Sequence, residues 1–436
     1  MKKYLFFALV LFLGFFVRVV FTTYGLTGDI TAFAEWGQRF WELGSKYFYF
    51  SDGWYYTKPV YPPLSNLLFA AIYWLFEHRY VLAQLHNVVR FPPASFLVFF
   101  GEAYSGSPFL YGKGYFLLLK LPTILADLVI SLIIYKIVLE VTKNTKKAWL
   151  GMLIYIFNPV SIFVSGVWGQ TESLIGIFGL LAFVLLYYKK AYLSIPLFFI
   201  SLYLKPTWII LAPWYVFVLY FVKPKIKHLL IGLVSSLIIY LFATAPFSSG
   251  NVISFTYDLI FKTIIPKGGA KASISAFNFY TIFMKIDIDF ADKILLFIKA
   301  KTLGVILYVL VNISAIYYLI HEKKNKLLAI VSGIFTIGLG SWLFTTNMLE
   351  RYFYAAFPVI VIILAVNSKK FLPLIVINII LFANLVWAFY RRGSDELDHP
   401  FTDNNFFLIR VLSVTIVFCY LFILNRLINM RNKALS

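Results

Sequence analysis

Cysteine is almost absent: the chain of 436 residues has one, Cys419, inside its last apolar run. That excludes a disulfide framework and any cysteine-based zinc site. The five histidines, His78, His86, His228, His321 and His399, are scattered, with no HExxH or paired spacing. Acid is in short supply too, with 19 Asp and Glu against 39 Lys and Arg. Charged residues of both signs make up 13% of the chain, about half the norm for a soluble protein. That scarcity excludes an ordinary water-exposed globule. No low-complexity segment and no internal repeat stands out.

What fills the chain instead is apolar: 61% of it is hydrophobic, 20% aromatic, and the mean hydropathy is +0.83. A soluble domain has roughly 45–50% apolar residues, so the composition specifies an all-α polytopic membrane protein. The formal net charge of +20 by itself would suit nucleic acid. Its distribution argues otherwise, because the lysines sit in short clusters between apolar runs. That is the positive-inside pattern, which sets topology and favours anionic headgroups. Met1-Lys2-Lys3 followed by Tyr4–Val20 has the outline of a signal peptide. Its length, its aromatic content, Arg18 and the lack of a small-x-small site before Gly28 favour an uncleaved first span.

A spanning helix needs about 20 mostly apolar residues. Candidate spans lie near 4–23, 115–141, 148–166, 171–188, 192–204, 207–222, 228–247, 303–320, 327–346, 352–368, 371–390 and 407–426. Basic residues mark alternate connections: Lys2 and Lys3; Lys143, Lys146 and Lys147; Lys189 and Lys190; Lys223, Lys225 and Lys227; His321 to Lys326; Lys369 and Lys370; and Arg426, Arg431 and Lys433. With these cytoplasmic, 24–114, 167–170, 205–206, 248–302, 347–351 and 391–406 face outward. The parity closes on about twelve spans (range 11–14) in one membrane domain, provided 61–77 lies at the interface rather than crossing. The alternative pairs 61–77 with 91–112 as two further crossings. Pro92, Pro93, Gly101, Glu102, Gly106, Pro108 and Gly112 break 91–112 too often for a free-standing span. Two long outer loops therefore carry juxtamembrane helices, 24–114 and 248–302, and 303–436 holds the C-terminal spans. Long ordered loops are usually functional.

The stretch Thr27 to Trp36 puts Asp29 just after the first span. Thr27 or Asp29 suits a helix N-cap, where a carboxylate meets the positive end of the dipole. The chemical reading is a general base at the membrane boundary, taking a proton from an acceptor hydroxyl. Glu35, six residues on, reads as a supporting or acceptor-contact residue. Lys58 and Tyr61-Pro62-Pro63-Leu64 read either as a helix start or as a turn suited to a phosphate headgroup. Asp127, inside an apolar helix, needs a partner, since a charge at the bilayer centre costs about 3 kcal/mol or more. It reads as helix–helix glue. At the turn Ser165 to Ser173, Gln170 and Glu172 suit sugar hydroxyls and Trp168 suits a stacked ring; a solvated loop is the plain alternative. Lys205-Pro206 is either a snorkelling lysine or a phosphate partner. Ser275 to Tyr280, with Asn278, opens another apolar piece. In Asn347 to Tyr352, Glu350 and Arg351 form a structural pair or a held arginine ready for a bidentate phosphate.

Taken in order, Gly28-Asp29 with Trp36, Tyr61-Pro62-Pro63-Leu64, Ala126-Asp127-Leu128, Gly169-Gln170, Lys205-Pro206, Phe277-Asn278 and Glu350-Arg351-Tyr352 resemble the GT-C superfamily of polytopic glycosyltransferases. The pattern is similar to the dolichyl-phosphate-glucose-dependent glucosyltransferases of the N-glycan pathway and to prokaryotic proteins related to the GPI mannosyltransferases. The resemblance implies a GT-C-like bundle that moves a hexose, glucose or mannose, from a polyprenyl or dolichyl monophosphate to a lipid-linked or other extracytoplasmic acceptor, with inversion. It implies Asp29 as base, Arg351 with Lys205 or Lys58 against the donor phosphate, and Glu35, Trp36, Tyr61, Trp168, Gln170, Glu172, Asn278 and Glu350 around sugar and acceptor. Where the eukaryotic glucosyltransferases usually carry a His-Glu pair, this chain has Leu349-Glu350. Ile30 and Thr31 follow Asp29, so there is no DxD, and neither metal nor cofactor is expected. The Lys-, Ile- and Phe-rich make-up points to a prokaryotic plasma membrane with an extracytoplasmic site. Two other classes compete: a transporter or flippase of lipid-linked sugars, which calls for broken helices and polar residues at the midplane, and a structural membrane subunit.

Overall fold

The computed structural model describes residues 2–22, 27–79, 81, 113–264, 270–322, 324–366, 371–393 and 406–429. The broken stretch 91–112 and the connections at 369–370 and 394–405 lie outside the described residues. Among those described, seven helices are long and apolar enough to cross a bilayer: Tyr4–Phe21, Gly114–Thr142, Ile226–Phe247, Ala300–His321, Lys326–Phe344, Leu372–Arg391 and Phe407–Leu427. An eighth crossing forms if Thr145–Ile156 and Pro159–Trp168, bent by 40°, act as one span. Glu172–Tyr187, Ala191–Leu204, Pro206–Val222 and Phe357–Val366 are apolar but shorter. They occupy four places where the sequence led us to expect full spans. The protein is thus an all-α, multi-pass membrane protein, and among the described residues its only sheet is a two-stranded hairpin.

Two helices lie enclosed at the centre of the bundle. Lys326–Phe344 and Phe357–Val366 are apolar around their whole circumference and almost completely enclosed, as expected of central helices. Glycines let their neighbours close in: a Cβ on Gly333 would sit 2.1 Å from the Trp214 ring, and one on Gly179 would sit 2.2 Å from Trp208. Small residues serve this purpose in membranes, where packing replaces the hydrophobic drive between helices.

The bend at Asn158-Pro159 follows from proline chemistry. Pro159 has no N–H to close the helical bond onto the Tyr155 carbonyl, and Ser161 Oγ donates to that carbonyl instead at 2.8 Å. The Val160 N–H turns to Asn158 Oδ1 at 2.9 Å. The Ile156 carbonyl is then left to Arg18, whose Nη1 donates to it at 2.8 Å. Arg18 is wholly buried in the first span. Its Nε donates to Asp127 Oδ2 at 2.9 Å and its Nη2 to Ser161 Oγ at 2.9 Å. Tyr155 and Tyr354 donate to Asp127 Oδ1 at 2.8 and 3.2 Å. The intramembrane carboxylate has the partner it requires.

The basic connections gather at one end of the bundle. Lys147 Nζ donates to the Val366 carbonyl at 2.8 Å, and Asn325 Nδ2 to the Val141 carbonyl at 3.4 Å. The His228 ring lies 3.2 Å from the Lys189 carbonyl, and Lys326 Nζ sits 4.9 Å from the centre of the Phe221 ring. At the opposite end the segments 27–29, 168–172, 204–206 and 345–351 come together. There Gly28–Leu43 packs on Pro63–Glu77, with Phe33 stacked on Phe69 at 4.6 Å and Trp41 Nε1 donating to the Ala70 carbonyl at 2.9 Å. Pro63–Glu77 has 15 residues, short of the roughly 20 a crossing needs. The loop from Ala270 to Ala291 lies over the same end: Ile274 and Ser275 donate their backbone N–H groups to the Met348 carbonyl at 3.2 and 3.3 Å.

Candidate functional site

Thr27, not Asp29, caps the second helix. Its hydroxyl accepts from the Ile30 N–H at 3.5 Å. Asp29 therefore sits in the first turn with its carboxylate turned to other partners. Its Oδ2 accepts from Gln170 Nε2 at 2.7 Å and from Trp168 Nε1 at 3.2 Å, and it lies 3.6 Å from Arg351 Nη1. The Asp29 side chain remains 30% exposed while its neighbours are almost closed off. A carboxylate held by two N–H donors and still open to solvent has a fixed aim and an accessible face.

The turn that delivers Trp168 and Gln170 is held by a residue that the sequence did not single out. The chain leaves the π-helical turn Phe163–Trp168 through Gly169, whose φ of 77° lies in the left-handed region. A Cβ there would sit 2.8 Å from Lys120 Cε. Lys120 is completely buried and donates three hydrogen bonds through Nζ, to the carbonyls of Thr22 at 3.0 Å, Gly166 at 3.1 Å and Val167 at 2.7 Å. Those carbonyls end the first span and the π-helical turn, where a cation is favoured by the dipole. One ammonium thus ties the segment before Asp29 to the turn that carries its partners.

On the far side of Asp29, Arg351 gathers three carboxylates. Its Nη1 lies 2.6 Å from Glu350 Oε1, and its Nε lies 3.8 Å from Glu172 Oε1. Glu172 opens the helix Glu172–Tyr187 and pairs through Oε1 with Lys205 Nζ at 2.5 Å. Glu350 is also bound by the Ser275 hydroxyl. Burial pulls the Arg351 pKa down, but Asp29, Glu350 and Glu172 together hold it well above the usual guanidinium value. Its charge is permanent. Tyr61 lies under Lys205, whose Nζ is 5.1 Å from the ring centre. Burial raises the Tyr61 phenol well above its ordinary value, with Arg351 opposing, so it stays protonated. The Arg351 guanidinium stands 5.5 Å over Trp168.

Asp29, Tyr61, Trp168, Gln170, Glu172, Lys205, Glu350 and Arg351, expected from scattered stretches of sequence, therefore meet at one place. The other four have the following partners. Glu35 is buried and accepts from the backbone N–H groups of Tyr55 and Tyr56 at 2.7 and 3.0 Å, with Arg39 at 3.8 Å. It shapes the loop that follows Gly28–Leu43. Trp36 packs edge-on against Tyr61 at 5.4 Å and donates to the Thr57 carbonyl at 2.7 Å, so it supports the site from behind. Asn278 is the N-cap of Phe279–Phe283, in a capping box with Thr281. Lys58 forms an ion pair with Asp52 at 3.7 Å on the exposed loop.

Four buried polar atoms of this cluster have no hydrogen-bond partner: Gln170 Oε1, Thr171 Oγ1, Glu172 Oε2 and Arg351 Nε. Buried polar atoms in folded proteins are nearly always satisfied, and exceptions mark sites that need explanation. Here two are acceptors, one is an N–H donor and one is a hydroxyl that can do both. A ligand bearing both hydroxyls and anionic oxygens would complete them. Among the described residues, no group of three or more His, Cys, Asp or Glu side chains is placed to hold a metal ion. No protein-family model matches the chain, and no curated protein matches it.

Proposed function

We propose that the chain is a GT-C-type glycosyltransferase, moving a hexose from a polyprenyl or dolichyl monophosphate to a lipid-linked or other extracytoplasmic acceptor, without a metal ion. The observation that carries the reading is the convergence on Asp29 of a permanent cation, Arg351, and a set of buried, unpartnered polar atoms. The acceptor hydroxyl gives its proton to Asp29, and its oxygen attacks the anomeric carbon from the face opposite the phosphate. The bond from that carbon to the phosphate oxygen breaks, and the lipid phosphate leaves with the electron pair. The anomeric centre is inverted. Arg351 Nε–H meets a phosphate oxygen, with Lys205 adding positive charge where the leaving group gains negative charge. Gln170 Oε1 and Glu172 Oε2 accept from sugar hydroxyls. The twelve-span topology belongs to the same proposal; the seven long apolar helices, the bent pair and the four shorter apolar helices support it.

The transporter reading has one observation in its favour, the bent span beside the interior charges Arg18 and Asp127. Those charges face each other and are satisfied by Gly14, Ile156, Ser161, Ser165, Tyr155 and Tyr354, which leaves no polar atom of theirs for a cargo. Gln170 Oε1, Thr171 Oγ1, Glu172 Oε2 and Arg351 Nε, which are unpartnered, lie instead at the Asp29 end of the bundle. The test is to incubate purified protein with radiolabelled polyprenyl-phosphate hexoses and lipid acceptors. Covalent transfer of label, with release of polyprenyl phosphate, supports the enzyme. Movement of intact donor between leaflets, with no labelled product, supports the transporter.

A further inference from the structure

Just before the Ala300–His321 helix, Ile294–Leu295 pairs antiparallel with Ile298–Lys299, leaving Leu296 and Phe297 as a two-residue loop. Both loop residues have positive φ, 50° and 73°. A two-residue hairpin turn of that kind is normally made by Asn-Gly or Asp-Gly, because side chains with a bulky Cβ are strained there. Leucine and phenylalanine are poor choices on backbone grounds. They are poor choices on solvation grounds as well: Phe297 is 98% exposed and Leu296 59%, and Ile294 beside them is 70% exposed. Apolar residues that gain neither backbone comfort nor protein contact call for another partner.

Three features identify it. First, Ala300 begins a span, so the tip is three residues from the bilayer-crossing helix, at most about 10 Å. The headgroup zone on each side of the hydrocarbon is about 5–7 Å thick, so the hairpin stands in or against it. Second, that helix itself carries an exposed apolar stripe, Val305, Val309 and Ile313. Third, the apolar tip is rimmed by Lys293, Lys299 and Lys301, against Asp289 and Asp292. An apolar tip with a basic rim is the pattern of an interfacial element. The hairpin lies at the same end as Asp29, since the Tyr280 hydroxyl lies 2.9 Å from the carbonyls of both Ala300 and Phe344.

We propose that the Ile294–Lys299 hairpin is a membrane-interface wedge, with Leu296 and Phe297 inserted among lipid headgroups and upper acyl chains at the site end of the protein. The wedge ends the loop that reaches back to the site through Ser275 and Glu350.

The test uses the full chain in a Cys419→Ser background, in vesicles of phosphatidylcholine with phosphatidylglycerol. A nitroxide is placed on Phe297→Cys and, as references, on Ile306→Cys in the lipid-facing helix and on Asn251→Cys in the outer loop. The label at 297 is expected to collide with oxygen and to be protected from a water-soluble nickel chelate, as the 306 label is. Nickel access like that of the 251 label overturns the proposal. So does protection from both reagents, which means protein cover, and so does dipolar broadening, which means a second copy. A second variant removes the wedge without harming the turn. Leu296→Asn with Phe297→Gly supplies the residues this turn favours, so the chain folds, and a label on Ile294→Cys should move from lipid to water. If that label stays in lipid, the apolar tip does not hold the hairpin there.

Discussion

Gln170 Nε2 lies 2.7 Å from Asp29 Oδ2, though 141 residues separate the two in the chain. The pair joins the segment after the first span to the turn after the bent pair of helices, and Arg351 closes the arrangement 3.6 Å from the same carboxylate oxygen. A residue that looks locally like a helix cap is thereby relieved of capping by Thr27 and aimed across a helix–helix junction.

Arg351→Lys should keep the charge and lose the fork. Arginine presents Nε and Nη donors in one plane, which a lysine ammonium cannot reproduce. The KM for the lipid-phosphate donor should rise about tenfold or more, equivalent to about 1.4 kcal/mol, with a smaller change in the KM of the acceptor. In the unaltered protein the Arg351 pKa is raised, so its cation is lost only as pH rises beyond the raised value. Donor affinity should therefore not fall on the alkaline side through loss of this charge. Steady-state kinetics against each substrate, repeated across pH, checks both statements.

Lys120→Met should cost stability and activity together. The ammonium satisfies three buried carbonyls, and unpaired buried polar groups cost about 1–3 kcal/mol each. The apparent unfolding free energy should drop by about 3 kcal/mol or more. The turn holding Trp168 and Gln170 should loosen, so that kcat falls in the fraction that remains folded. Thermal unfolding in detergent, followed by kinetics on the folded fraction, measures the two effects.

Arg18→Gln and Asp127→Asn should each be far more harmful alone than together. Either change leaves a buried charge without its opposite, at about 3–5 kcal/mol, while the double variant keeps hydrogen-bonding groups and removes both charges. A double-mutant cycle on unfolding in mixed detergent reads the coupling. Additive losses would show that Arg18 and Asp127 do not act as a pair.

Labelling of single cysteines tests the membrane orientation. In a Cys419→Ser background, Ser51→Cys should react with an impermeant maleimide added outside intact cells, and Lys189→Cys should not. Reaction at both positions would overturn the alternation drawn from the basic clusters.

Much of this arrangement was legible in the sequence, for physical reasons. Charges are costly in an apolar chain, so Asp29, Lys205 and Arg351 stood out, and the alternation of lysine clusters grouped them with the other connections at the same end. In the structure Asp29, Lys205 and Arg351 meet at one end of the bundle, and the connections at Lys147, Lys189 and Lys326 lie at the other. What stayed hidden depends on tertiary partners. Lys120 reads as one lysine near a span end until its three carbonyls are seen. Arg18 is a single charge in the first span, and its interior position was the signal that it needed a partner. Asn278 and Glu35 have residue types that suit a binding site, yet their polar atoms are spent on a helix cap and on two loop N–H groups. Helix lengths are less legible, because the apolar stretch 352–368 holds the α-helix Phe357–Val366, of 10 residues.

The most direct test is the rate of transfer by Asp29→Asn. The variant keeps the shape and a hydrogen-bond acceptor for Gln170 and Trp168, but cannot take the acceptor's proton. Positioned general bases contribute about 10²–10⁴-fold. With radiolabelled polyprenyl-phosphate hexose and an acceptor used by the unaltered protein, kcat should fall by at least about 100-fold while donor binding persists. Transfer by Asp29→Asn at the unaltered rate would contradict the assignment of Asp29 as the base.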